Sequence, residues 1–100
     1  MTVDDHPDTP VIRLRGGLGA GTVAVLREAV EGVLATGPAA VVLDLTDVVA
    51  DDELGVWVVP AVAGEAAGRG VGFTVVAPDR ALRMRLRRVG ARHVEITDAL

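Results

Sequence analysis

The residues of this chain with the means to do chemistry are mostly carboxylates. Asp44, Asp47, Asp51, Asp52 and Glu53 crowd into ten residues, and the last three run together just before an apolar stretch. Carboxylates at short spacing serve acid–base catalysis or hold hard cations. Here the spacing matches no calcium loop, and a catalytic pair would need a cleft that so small a domain scarcely offers. His6 and His93 sit in unrelated segments without a ligand-spaced partner. Serine, lysine and cysteine are absent. That excludes a serine or thiol nucleophile, a Schiff base and a disulfide framework. No catalytic residue, metal ligand or cofactor is assigned, and the chain reads as a binding module rather than an enzyme.

A second candidate is Gly19–Ala24, "GAGTVA", which fits G-x-G-x-x-A between a strand and a helix, with Asp44 where a ribose-binding acid would fall. Three or four residues separate the predicted strand from this fingerprint, too many for the tight turn a dinucleotide needs. A Walker-type loop requires a lysine. The plainer reading is a glycine loop feeding a helix N-terminus. The third candidate is the run Arg80, Arg83, Arg85, Arg87 and Arg88. A net charge of −4 and the absence of a groove-reading motif argue against nucleic acid and against anionic membranes. These side chains read as the wet faces of an amphipathic helix. One Trp, one Phe and no Tyr are too few for an aromatic platform that stacks bases.

The elements that would position these residues follow from apolar periodicity. One hundred residues, half of them apolar, suit one domain with one core. "VIRLR" alternates, predicting a strand with Ile12 and Leu14 buried and Arg13 and Arg15 wet; "GGLGAG" should break it. Thr22 is expected to cap a helix carrying Val23, Leu26, Val30, Val33 and Leu34 and ended by Gly37-Pro38. The apolar run from Ala40 to Leu45 predicts an interior, parallel strand. A second helix should span about Asp52 to Arg69, with a kink near Val56 caused by Pro60. A strand "VGFTVVA", a helix capped by Asp79 and a short strand "HVEI" complete the chain. Alternating strands and helices imply βαβ units. The expected fold is α/β, a mixed or mostly parallel sheet of four to five strands with helices mainly on one face. Residues 1–100 form one domain, with a polar N-terminal segment over residues 1–10. That segment is acidic and unlike a secretory signal, no apolar run is long enough to span a membrane, and a cytoplasmic location is expected.

Three stretches together resemble the STAS domain, the sulfate-transporter and anti-sigma-factor-antagonist family. "LRGGL" (Leu14–Leu18) is similar to its first signature, L-x-G-[ED]-L-D. "VVLDLTDVVADDELGV" (Val41–Val56) is similar to the second, which carries Asp-Ser before x-Gly. The segment Phe73–Leu100 follows the family's ending. The resemblance implies an anti-sigma factor antagonist. Its partner would be an anti-sigma factor with a histidine-kinase-like ATPase fold, docking on Asp51, Asp52, Glu53, Gly55 and Trp57. In the family the hydroxyl that opens the second helix is phosphorylated, and phosphate breaks the complex. Here Asp52 and Gly55 match, but the phospho-acceptor position is Glu53, which cannot be phosphorylated; Thr46 is the nearest hydroxyl. Gly17 and Gly19 also replace the acids of the first signature. A helix start favours an anion, so Glu53 fits either a fixed mimic of the phosphorylated form or a simple first-turn acid. Trp57, four residues on, shares its face with Glu53, Ala61 and Gly64, opposite the expected buried stripe of Val56, Val59, Ala63 and Ala67. A nucleotide- or small-ligand-binding STAS domain and a scaffold in a larger signalling assembly are the alternatives.

Overall fold

The computed structural model describes residues 1–4, 8–50, 53–89 and 94–99; at residues 50, 53 and 54 it describes the backbone alone. Thr2–Asp4 form β1, Val11–Leu18 β2, Ala20–Leu34 α1, Ala40–Ala50 β3, Glu53–Gly68 α2, Gly72–Val76 β4, Arg80–Arg88 α3 and Glu95–Thr97 β5. The five strands form one sheet in the order β1-β2-β3-β4-β5. β1 pairs antiparallel with β2, and every later neighbour pair is parallel. Parallel neighbours in unbroken chain order place all three helices on one face when the crossovers share the right-handed sense usual for such units. The core agrees. Ile12, Leu43 and Val75, side by side across the sheet, join Leu26 of α1, Val59 of α2 and Leu86 of α3 in one buried cluster. Val42 and Val76 lie outside that cluster, on the opposite face.

Several boundaries differ from the sequence reading, each for a local reason. The polar N-terminal segment contains β1, whose backbone pairing needs no apolar side chains. The glycines do not end β2: it continues through Gly16 and Gly17, whose partners are Val48 and Val49 of a longer β3. Thr22 is not the N-cap of α1. Gly19 holds that place, and the Thr22 hydroxyl reaches back to its amide (3.1 Å) and its carbonyl (2.9 Å). The α2 helix spans Glu53–Gly68 with Pro60 inside it. It ends as glycine-terminated helices do, with Gly70 at φ +71°, its amide on the Ala67 carbonyl and the Val71 amide on that of Ala66. Asp79 caps α3 as expected, accepting from the Ala81 amide at 3.0 Å.

β3 carries one residue more than β2 between the pairs Arg13–Asp44 and Arg15–Asp47. This bulge resets the alternation. Val41, Leu43 and Leu45 point to the helices; strict period two would send Asp47 after them, yet Val48 is buried instead and Asp47 stays in water. The Asp44 carboxylate accepts from the Thr46 amide (3.0 Å) and from the Thr46 hydroxyl, tying the bulge from within.

The lengthened β2–β3 pair brings the turn after β2 beneath the start of α2. Gly55 is buried there, and a Cβ on it would collide with the Leu18 carbonyl and the Gly19 nitrogen. The neighbours are backbone and cannot swing aside. Gly55→Ala is therefore expected to lower stability by about 2–4 kcal/mol, read as a fall in Tm of roughly 10–20 °C for a domain of this size; Gly64→Ala, where a Cβ meets open space, should leave Tm unchanged or raise it.

Candidate functional site

Valine and alanine make α2 nearly all apolar, and this helix is buried around much of its circumference. Gly55, Val56, Val58, Val59, Val62, Ala63 and Ala66 are all buried, sandwiched between the sheet and the flanking helices. Ala67, expected in the buried stripe, is half-buried. The remaining strip, Trp57, Ala61 and Gly64, faces water as the helical spacing required. Trp57 is 54% exposed. Burying an aromatic of this size is among the larger gains open to a side chain. A lone tryptophan left in water amid small residues marks a surface that another molecule can cover.

Glu53 is the first residue of α2, two residues before the packed Gly55 and one turn before Trp57. The first-turn amides of a helix lack partners inside it, and the local dipole favours an anion. Asp51 and Asp52 lie outside the described residues. Glu53, Gly55 and Trp57 thus fall on the first turn and a half of a single helix, whose entry is set by the contact of Gly55 with the β2–α1 turn.

Asp44 and Asp47 do not join them. Both project from the face of the sheet opposite the helices, where Arg13 Nε stands 3.5 Å from Asp44 Oδ2 and Arg15 Nε 3.8 Å from Asp47 Oδ2. Each ion pair links register partners of β2 and β3. The sequence reading took these acids as part of one acidic run and missed the pairing. Only half of the signal was in the sequence: the alternation of "VIRLR" turns Arg13 and Arg15 away from the core, but the register that sets Asp44 beside Arg13 and Asp47 beside Arg15 is a property of the paired strands. Val49, 67% exposed at the end of β3, is on the surface because of the bulge.

The glycine fingerprint fares differently. Gly19 follows β2 directly, so the turn is as tight as a phosphate site demands, contrary to the expected gap. The space is nevertheless taken. The Gly19 amide is engaged by Thr22 Oγ1, and α2 rests on the same turn through Gly55. Asp44, far from the end of β3, is committed to Arg13 and Thr46 and is not placed to hold a ribose. His6 and His93 lie outside the described residues. Among the described residues no group of three or more His, Asp or Glu gathers in metal-binding geometry, and no helix is long and apolar enough to cross a membrane.

Comparison with known proteins agrees with this geometry. A family model described as "Mlab, STAS domain" matches residues 1–97. The anti-sigma-F factor antagonist RsfB of Mycobacterium tuberculosis is 33% identical over 90 residues, which cover 90% of this chain and 73% of RsfB. Among solved structures, an anti-sigma factor antagonist from Mycobacterium paratuberculosis superposes with a TM-score of 0.73 at 23% identity, over 99% of this chain and 85% of that one. RsbS of Moorella thermoacetica, in a form with glutamate substituted for a serine, superposes with a TM-score of 0.80 at 17% identity, over 99% and 86%. At those identities the two structures speak for the fold, while the family match and the RsfB relation fix membership. The match over residues 1–97 and the 33% identity with RsfB, on a five-stranded sheet in the order β1 to β5 with three helices on one face, make this chain a member of the STAS domain family.

Proposed function

We propose that this STAS domain is an anti-sigma factor antagonist, a binding module whose docking surface is the start of α2. The names of RsfB and of the Mycobacterium paratuberculosis neighbour support the class. The single observation that carries the surface is Trp57, more than half exposed one turn from the helix start on a helix otherwise packed into the core. Asp51, Asp52, Glu53, Gly55 and Trp57 form the surface, with Gly55 setting its position and Trp57 serving as anchor. The partner is an anti-sigma factor with a histidine-kinase-like ATPase fold, and the domain works in the cytoplasm.

Glu53 occupies the phospho-acceptor position in this reading. A carboxylate brings a permanent charge of about −1 where a phosphorylated hydroxyl would bring about −1.5 to −2. The switch is thus fixed in one charge state, and regulation passes to the abundance of the two proteins rather than to a phosphate.

Two measurements test the proposal. Titration calorimetry with the cognate anti-sigma factor should show Trp57→Ala weakening binding by about 2 kcal/mol or more, some thirtyfold, without loss of Tm; unchanged affinity contradicts the surface. Incubated with that partner and ATP, Glu53→Ser should gain one phosphate by mass spectrometry while the wild type gains none. A wild-type chain phosphorylated on Thr46 contradicts the fixed charge state.

A further inference from the structure

The arginines of α3 have no role in the surface just described. Asp79–Arg88 holds five arginines against one aspartate, a charge of +4, in a chain whose total is −4; the remainder therefore carries −8. Leu82 and Leu86 turn the apolar side of this helix into the core. On the outer side Met84 is 44% exposed, with exposed Arg80 four residues before it and exposed Arg87 and Arg88 three and four residues after it. At those spacings the residues are neighbours on the helix surface, so the exposed Met84 has an arginine on either side of it along the helix. Arg83 is held elsewhere, donating through Nη1 to the carbonyls of Ala77 (2.9 Å) and Pro78 (2.7 Å).

Solubility alone does not account for this arrangement. Among the described residues no carboxylate pairs with Arg80, Arg87 or Arg88. Like charges three and four apart, Arg80 with Arg83, Arg83 with Arg87 and Arg85 with Arg88, repel along the helix. The helix dipole favours Arg85, Arg87 and Arg88 in the last turn but disfavours a cation at Arg80, at the N-terminal end. A face chosen only to be wet would mix both signs and would not centre a methionine.

We propose that this outer face of α3 docks a carboxylate-rich segment of another protein, with an aliphatic side chain of that segment seated on Met84. Arginine forks pair with carboxylates through two parallel hydrogen bonds, and a polarizable methionine accepts varied apolar shapes. Two other anionic occupants fit less well. A nucleic acid runs far beyond a nine-residue helix about 13 Å long and would meet the −8 of the rest of the chain. A membrane-lying helix inserts its apolar face, and that face of α3 is already in the core. The surface is built on α3 alone and uses no residue of the α2 surface, so its variants test it independently of the anti-sigma reading.

The test uses the full chain and a fluorescein-labelled twelve-residue peptide of glutamates with one central leucine, followed by anisotropy in 150 mM salt. Saturable binding is expected, weakened roughly tenfold in 500 mM salt by screening. It should be lost in Arg80→Gln/Arg87→Gln/Arg88→Gln and reduced about fivefold in Met84→Gln or when serine replaces the peptide's leucine. Circular dichroism melts of these surface variants should match the wild type. Absence of saturation, undiminished binding to the triple variant, or indifference to both Met84→Gln and the peptide's leucine overturns the proposal. So does tighter binding of a twelve-nucleotide single-stranded DNA or of phosphatidylserine vesicles.

Discussion

The backbone of Gly55 and the peptide joining Leu18 to Gly19 meet so closely that no β-carbon fits between them. That contact sets where α2 enters the domain, and much else follows from it. β2 must continue through its glycines to Leu18 to offer the peptide, and β3 must run equally far to pair with it. The bulge after Asp44 lets β3 do so without drawing Asp47 into the core. With the first turn of α2 pinned on the β2–α1 turn, Glu53 stands at the exit of the sheet and Trp57 is left pointing outward. The glycine of the second signature is thus a packing requirement before it is a functional one.

Apolar matching holds α2 below that point. Its buried arc is built from valine and alanine, which lose little side-chain freedom on packing, and Arg27 reaches from α1 to Glu65 across the surface at 3.2 Å. Exposed pairs of that kind contribute at most about 1 kcal/mol, so the helix is held by shape rather than by charge. This leaves the exposed strip free of any structural duty. A tryptophan there keeps more than half of its surface in water, where a partner can cover it.

Much of the architecture was legible because periodicity speaks directly of burial. Ile12 and Leu14 alternate with Arg13 and Arg15, and Leu26, Val30 and Val33 recur at helical spacing; all of them face as that pattern predicts. The expected face of Trp57, Ala61 and Gly64 rested on the same logic and is exposed. Other features were hidden where backbone pairing, not side-chain type, decides. Gly16 and Gly17 look like breakers in isolation but are strand residues because β3 is beside them. Thr2–Asp4 carry no apolar pattern and are strand only through β2. The Asp44–Thr46 bulge and its ion pairs need two strands in known register, which one sequence does not declare. The acids of residues 44 to 53 looked like one cluster because they are close in sequence; opposite faces of a sheet separate Asp44 and Asp47 from the start of α2.

The central claim is that the start of α2 is where a protein partner is held. Amide hydrogen exchange of the chain, alone and with its anti-sigma factor, tests this most directly. The account predicts that slowed exchange on complex formation concentrates in residues 53–61. Protection confined to β1 and β2, with α2 exchanging as in the free chain, would contradict it.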